Sequence, residues 1–262
     1  MYSKKIILSG TKNTRTLSNL VNKDGFSIKE NLLIRSDCLD KITELDKKNL
    51  VDIYNLKRIF DFRTEVEVYH RPDVDIDGVC YIHNPILGSD KIGISKKNDK
   101  EDFDAFVRVL HNNGVASSKN YMIRTYKSLV ELDVACNGYK RFLHELLKPC
   151  GGANLWHCSA GKDRAGFGTV LVLYLLDFSW DVIINDYLAT NLFYEDNVNS
   201  LVLKYGEDFR PILNSLFGVY REYIDVLIET CDVLYGGFDN YIKNVLEFSD
   251  EDKNKLKELY LA

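Results

Sequence analysis

No run of apolar residues in this sequence is long enough to cross a bilayer. The longest strongly apolar stretch is Val170 to Leu176, where a spanning helix needs about 20 residues, so stable membrane insertion is not expected. Only three consecutive apolar residues, Ile6 to Leu8, follow the basic pair Lys4-Lys5. That is far short of a signal-peptide core, and it assigns the chain to the cytoplasm rather than to that export route. Proline is scarce and scattered, at Pro72, Pro85, Pro149 and Pro211, which leaves no linker, and neither internal repeats nor low-complexity tracts occur. The six cysteines (Cys38, Cys80, Cys136, Cys150, Cys158, Cys231) form no Cys-x-x-Cys pair. This argues against a zinc knuckle and for free thiols in a reducing compartment.

What is present is a globular composition. The 262 residues are 45% hydrophobic and 28% charged, enough for a substantial core and within the size of one α/β domain, taken here as 1–262. With 34 Lys and Arg against 39 Asp and Glu, the net charge is -5, so nothing draws the whole surface to nucleic acid or anionic lipid. Any affinity for phosphate must be local. The charge is uneven: Met1 to Arg35 carries seven basic residues against Asp24 and Glu30, while Asp225 to Ala262 carries nine acids against four lysines. Both ends read as solvated surface.

Strands are expected at 31–35, 57–62, 79–83 and, buried, at 153–157, with a helix over 43–55 that Thr43 and Asp46 cap at its start. Helical spacing runs through 121–147 until Pro149 and Gly151-Gly152, and again from Arg164 to the end, where Ser249 opens a last helix. The stretch 96–115 reads either as a flap or as a surface helix. Strands alternating with helices, followed by a helical tail, imply an α/β fold with a mostly parallel sheet flanked by helices and a helical C-terminal region.

Chemistry concentrates in His157-Cys158-Ser159-Ala160-Gly161-Lys162-Asp163-Arg164-Ala165-Gly166, between the buried strand and an apolar helix. A loop at that junction wraps backbone N–H groups around one point at a helix N-terminus, which suits a tetrahedral dianion. Ser159, Ala160 and Gly161 are small enough for a tight curl, and Gly161 tolerates positive φ. Arg164, six positions after Cys158, can offer two parallel N–H bonds to phosphate oxygens. The same cationic surroundings favour the thiolate of Cys158, giving a nucleophile beneath its target.

The pattern His-Cys-x-x-Gly-Lys-Asp-Arg-x-Gly resembles the signature of cysteine-dependent protein tyrosine phosphatases. More narrowly it resembles their atypical bacterial members with protein and phosphoinositide activity. The likeness extends to Arg35-Ser36 with Leu39 and Asp46, to Phe60-Asp61-Phe62-Arg63 with Glu67 and Pro72, and to 186–191 and 235–242. It implies a phosphatase for phosphotyrosine, and also for phosphoserine, phosphothreonine or inositol lipids, that needs no cofactor or metal. Cys158 would attack phosphorus, water would hydrolyse the cysteinyl phosphate, and Arg164 with Ser159, Ala160, Gly161, Lys162 and Asp163 would bind the phosphate. There is no Trp-Pro-Asp segment to supply the general acid. The resemblance points to Asp163, with Asp61 in reserve; the other reading of Asp61 is a brace with Arg63. Lys162 would meet a second acidic group or lie solvated at the rim, and His157 would orient the loop and help hold the thiolate. Cys38, Cys80, Cys136, Cys150 and Cys231 read as small core residues. Segments 96–121 and 187–218 are candidate lid elements.

One departure from the family pattern has a measurable consequence. Ala165 stands where the family usually has Thr or Ser, whose hydroxyl would ease expulsion of the sulfur in the second step. A hydrogen bond to a charged group is worth about 1.5 to 3 kcal/mol, so Ala165→Thr is expected to raise turnover roughly tenfold. An unchanged or slower rate with a small aryl phosphate refutes this. Two rival readings remain at this stage: a phosphate-binding pseudophosphatase or adaptor, and a rhodanese-like sulfurtransferase, against which Arg164 and Lys162-Asp163 argue. A nucleotide P-loop is excluded, because Asp163 follows Lys162 and Trp156 occupies its first glycine position.

Overall fold

A computed structural model describes residues 2–88 and 100–262. In chain order its elements are β1 (Lys4–Lys5), β2 (Arg15–Thr16), β3 (Leu33–Ser36), α1 (Glu44–Asp52), β4 (Leu56–Asp61), α2 (Glu65–His70) and β5 (Cys80–His83). Next come α3 (Lys100–Asn112), α4 (Val115–Glu131), α5 (Asp133–Leu146), β6 (Ala153–His157), α6 (Arg164–Leu175), α7 (Trp180–Leu188) and α8 (Thr190–Tyr205). The chain closes with α9 (Arg210–Phe217), α10 (Arg221–Tyr235), α11 (Phe238–Asn240) and α12 (Asp250–Tyr260).

The strands form one sheet in the order β1-β2-β3-β6-β4-β5. Pairing is parallel from β3 through β6 and β4 to β5, and antiparallel at β1-β2 and β2-β3. The mostly parallel sheet flanked by helices is therefore observed. In the register, Ser36 faces His157, His157 faces Asp61 and Asp61 faces His83. The four parallel strands thus end level, and the loop leaving β6 emerges mid-row at the carboxyl edge, where open α/β sheets bind ligands.

Burial fixes this placement. Every residue of β6 is buried, as a strand covered on both faces requires. One face packs Phe60, Trp156, Phe142 and Phe167 into the larger core, and the other packs Ile34, Ile59, Leu155 and Leu50 of α1. Eleven of the twelve residues of α6 are buried. Such an all-round apolar helix is held between layers, so its N-terminus cannot drift.

Local sequence signals act as expected at several ends. Thr43 and Asp46 form a reciprocal capping box that opens α1, and Ser249 with Asp252 does the same for α12. The expected helix over 121–147 is instead two, because Leu132 adopts an extended conformation (φ -85°, ψ 133°) that ends α4 and starts α5. Helical spacing continues across that corner because both helices bury their apolar faces in one core. Of the two readings of 96–115, the helix holds for α3, while 96–99 lie outside the described residues. The strands β1 and β2 were not anticipated: two residues each are too short to show a period.

Candidate active site

Between β6 and α6 the six residues Cys158 to Asp163 form the loop. Gly161 has φ 64°, and a Cβ there would sit 2.4 Å from the backbone oxygen of Ser36, so no other residue fits without displacing β3. The loop carbonyls are held from outside. Ser159 O accepts from Cys38 N–H at 3.5 Å. Ala160 O accepts from Tyr194 Oη at 2.6 Å and Asn13 Nδ2 at 3.2 Å. Gly161 O accepts from Arg35 Nη2 at 2.7 Å and Asn13 Nδ2 at 3.1 Å. Across a trans peptide the next N–H points opposite to the C=O, so Ala160, Gly161 and Lys162 turn their N–H groups inward. Among the described residues, none of these N–H groups donates to a protein atom.

The inner side of this loop opens on a cavity of about 480 Å³. The loop residues Cys158, Ser159, Ala160, Lys162, Asp163 and Arg164 line it, together with the apolar Leu87, Phe103, Leu216 and Phe217 and the charged Lys12, Asp37, Asp40, Lys41 and Arg71. Cys158 is 2% exposed.

Arg164 is gripped by Glu67 at the third position of α2. Nη1 donates to Oε2 at 2.6 Å and Nη2 to Oε1 at 2.8 Å. Oε1 also accepts from Ser159 Oγ at 2.6 Å, and Oε2 from Thr64 N–H at 2.9 Å as half of a capping box. Burial alone would raise the Glu67 carboxyl, but the charge and hydrogen bonds of Arg164 overcome it and hold the group well below the usual carboxylate range. The pair leaves Nε of Arg164 without a protein partner among the described residues.

Asp163 reaches the cavity beside Arg164. Its Oδ1 accepts from Lys162 Nζ at 3.0 Å and from Tyr126 Oη at 2.7 Å. Lys162 is 3% exposed and also donates to Gly218 O at 3.3 Å. The solvated reading of Lys162 therefore fails: its ammonium is drawn in by Asp163 and the turn after α9.

Asp61, the reserve acid, is fully buried and lies outside the cavity lining. Its carboxylate is taken by Arg63 Nε and Nη2, at 2.9 and 2.6 Å, and by Tyr81 Oη at 2.7 Å. The brace with Arg63 is what the geometry displays. Arg63 Nη2 also meets Asp73 at 2.8 Å, and His157 Nε2 lies 2.9 Å from Asp73. The sequence showed no acid-histidine cluster, yet Asp61, Asp73 and His157 converge here. Arg63 Nη2 meets both carboxylates of this group, Asp61 at 2.6 Å and Asp73 at 2.8 Å. His157 Nδ1 lies 3.4 Å from the backbone oxygen of Cys158, a contact suited to orienting the loop.

This cluster predicts a pH dependence. Burial pulls the His157 imidazolium down, but Asp61 and Asp73 push its pKa above the ordinary 6.5. A raised folded value means that the imidazolium stabilises the fold fully below pH 6.5 and that this contribution is lost as pH climbs through the folded value. Asp61 is held low in spite of burial, chiefly by His157 and Arg63, so its contribution disappears only in acid below 3.8. Thermal melting from pH 5 to 9 should fall above 6.5 in the native chain and stay flat in His157→Gln. A matching fall in both chains sinks this assignment.

Two buried arginines lie behind the loop. Arg35 Nη1 and Arg15 Nη1 meet Asp186 of α7 at 3.1 and 3.4 Å, and Asp186 Oδ1 accepts from Ser3 N–H at 2.8 Å. Burial and the neighbouring Arg35 lower the Arg15 pKa to about 9. One carboxylate between two guanidiniums leaves excess positive charge beneath the Gly161 carbonyl. The roles of Asn13, Arg15, Asp73, Tyr126 and Tyr194 around the loop had no sequence signal. Arg35, Glu67 and Asp186 stood in the resembling segments without an assigned task.

All six thiols are free. Cys38, Cys136 and Cys231 are buried, Cys38 also lining the cavity, but Cys80 is exposed and Cys150 is half-buried. Cys80 opens β5, the last strand of the sheet, whose first two residues are exposed. Burial and a bond to Asp40 push the Cys38 thiol up, so it stays protonated beside the loop.

The sequence profile of the tyrosine phosphatase family matches residues 6–262. The chain belongs to that family. It is a cysteine-dependent protein tyrosine phosphatase. A Cupriavidus necator protein that carries the name tyrosine-protein phosphatase is 26% identical over 253 residues, covering 95% of this chain and 86% of that protein. The triple specificity protein phosphatase PtpB of Mycobacterium tuberculosis is 28% identical over 246 residues, covering 81% of this phosphatase and 84% of its own length. No helix of the phosphatase, among the described residues, is long and apolar enough to cross a membrane.

Proposed function

We propose that this phosphatase, as a single domain over 1–262, hydrolyses phosphotyrosine through a cysteinyl phosphate on Cys158. The observation that carries the reading is that Cys158, Arg164 and Asp163 line one cavity with Ala160 and Lys162 of the same loop. Cys158 Sγ attacks phosphorus in line, the S–P bond forms and the P–O bond to the aryl group breaks. Asp163 gives a proton to the departing phenolate. The Nε–Nη2 edge of Arg164 and the N–H groups of Ala160, Gly161 and Lys162 hold the equatorial oxygens in both steps, and such fixed donors are the usual main source of acceleration. Water then cleaves the S–P bond, releasing phosphate and the thiolate. The apolar Phe103, Leu216 and Phe217 in the lining suit an aromatic ring, and the lid role expected of 96–121 and 187–218 falls to the helices that supply them, α3 and α9.

Quenching turnover of a phosphotyrosyl peptide and mapping phosphate by mass spectrometry tests this: the label should sit on the Cys158 peptide. Label elsewhere, or none under conditions that trap other thiol phosphates, overturns it. A thiosulfate assay that returned sulfur transfer would favour the rhodanese-like alternative.

A broader reading, to phosphoserine, phosphothreonine or phosphoinositides, is favoured by the basic residues in the cavity's lining. Lys12 and Lys41 are exposed there beside Arg71, and Arg71 is already engaged by Asp40 at 2.8 Å. Lys12 Nζ donates to the neutral Asn197 Oδ1 at 2.9 Å, so its charge, like that of Lys41, suits a second acidic group on the substrate, and one relative is named a triple specificity phosphatase. Rates on matched phosphopeptides and inositol phosphates decide the order of preference.

A further inference from the structure

A chain of two buried hydroxyls approaches Asp163 from behind. Tyr126 of α4 is fully buried, and its Oη donates to Oδ1 of Asp163 at 2.7 Å. Tyr187 of α7 is 1% exposed, with its Oη 2.6 Å from that of Tyr126. Among the described residues the Tyr187 hydroxyl has no other partner, so its proton goes to Tyr126 and the proton of Tyr126 is committed to Asp163. The rings are fixed as well. Tyr126 lies tilted on Tyr223 with centroids 5.1 Å apart and meets Tyr187 edge-on at 6.3 Å. Tyr187 lies beside Gly166, where an added Cβ would make ordinary van der Waals contact with the ring at 3.6 Å.

The donors on Asp163 are one-sided. Lys162 Nζ donates to the same Oδ1 at 3.0 Å, while Oδ2 receives no hydrogen bond from the protein among the described residues. An ammonium has no acceptor, and a hydroxyl whose lone pair already serves Tyr187 donates rather than accepts. With both donors on Oδ1, the protonated carboxyl must carry its hydrogen on Oδ2.

We infer that Tyr126, backed by Tyr187, is a positioning residue of the first chemical step: it pins Oδ1 and so reserves Oδ2 of Asp163 as the oxygen that delivers the proton. The inference rests on the acid role proposed above for Asp163. As the S–P bond forms and the aryl P–O bond breaks, the Oδ2 proton moves to the phenolate oxygen. The charge left on the carboxylate is then met by the two donors already in place on Oδ1.

The test is kcat/KM, which reports that first step, on two esters. Phenyl phosphate has a leaving group of pKa about 10 and needs the acid; 2,4-dinitrophenyl phosphate departs without a proton. Asp163→Asn should lose about 100-fold on phenyl phosphate and under about threefold on the dinitrophenyl ester. Tyr126→Phe should show the same selectivity at about tenfold, a share of the acid's effect. If Asp163→Asn is selective but Tyr126→Phe loses equally on both esters, or loses nothing, the positioning role is overturned and the acid role stands. If Asp163→Asn itself loses equally on both, the acid reading fails and takes the inference with it. Should Tyr126→Phe not fold, Tyr187→Phe removes only the outer hydroxyl, and the same pair of esters decides.

Discussion

Cys158→Ser is expected to lower the turnover of para-nitrophenyl phosphate by about 10⁴-fold while leaving the melting temperature close to that of the native chain. A hydroxyl is protonated at neutral pH and a poor nucleophile without a base beside it. Among the described residues the nearest imidazole, His157, is engaged by Asp73 instead. The replacement fits the space of a side chain that is 2% exposed, and every loop carbonyl contact described above is made by other residues. Binding should therefore survive, and inorganic phosphate should protect both proteins equally against thermal unfolding. Equal hydrolysis by the two proteins would remove Cys158 from the chemistry. Phosphate binding by both with hydrolysis by neither would make the molecule an adaptor.

The second large effect is expected at Glu67, whose single carboxylate joins four donors: Arg164 twice, Ser159 Oγ and the N–H of Thr64. Glu67→Ala leaves the Arg164 guanidinium, 5% exposed, without its counter-charge, and breaking one side of a buried ion pair typically costs about 3 to 5 kcal/mol. It also opens the start of α2. Denaturant unfolding should register a loss of that size, and kcat/KM on para-nitrophenyl phosphate should fall by at least about 100-fold as Arg164 leaves its place. Glu67→Gln keeps the cap acceptor and most of the shape, so it should fall between. Wild-type stability together with wild-type kinetics in Glu67→Ala would show that Arg164 is held by something else.

How much of this was legible in the sequence depends on distance along the chain. The strand, loop and helix from Ala153 to Leu175 could be read because their signals are contiguous: an apolar run, small residues at the curl, then a second apolar run. The cap of α1 was readable for the same reason, since Thr43 and Asp46 lie one turn apart. The supports of the loop were not. Asn13 and Ala160 are 147 positions apart, Arg35 and Asp186 are 151 apart, and Tyr126 and Asp163 are 37 apart. No periodicity marks a tyrosine whose use is its hydroxyl in another element's loop. Asp61 was a sound reserve acid on its position at a strand end, but Arg63 two residues on folds back upon it, and only side-chain geometry reveals that.

The outward grip on the carbonyls of Ser159, Ala160 and Gly161 has one more consequence. Asn13, Arg35, Tyr194 and Cys38 set the cup during folding, before any ester arrives, and nothing in it distinguishes an esterified oxyanion from a bare one. On the binding mode proposed above, the released phosphate meets the same donors as the reactant, so inorganic phosphate is expected to compete with fresh substrate as it accumulates, and other tetrahedral oxyanions of similar size to compete in the same way.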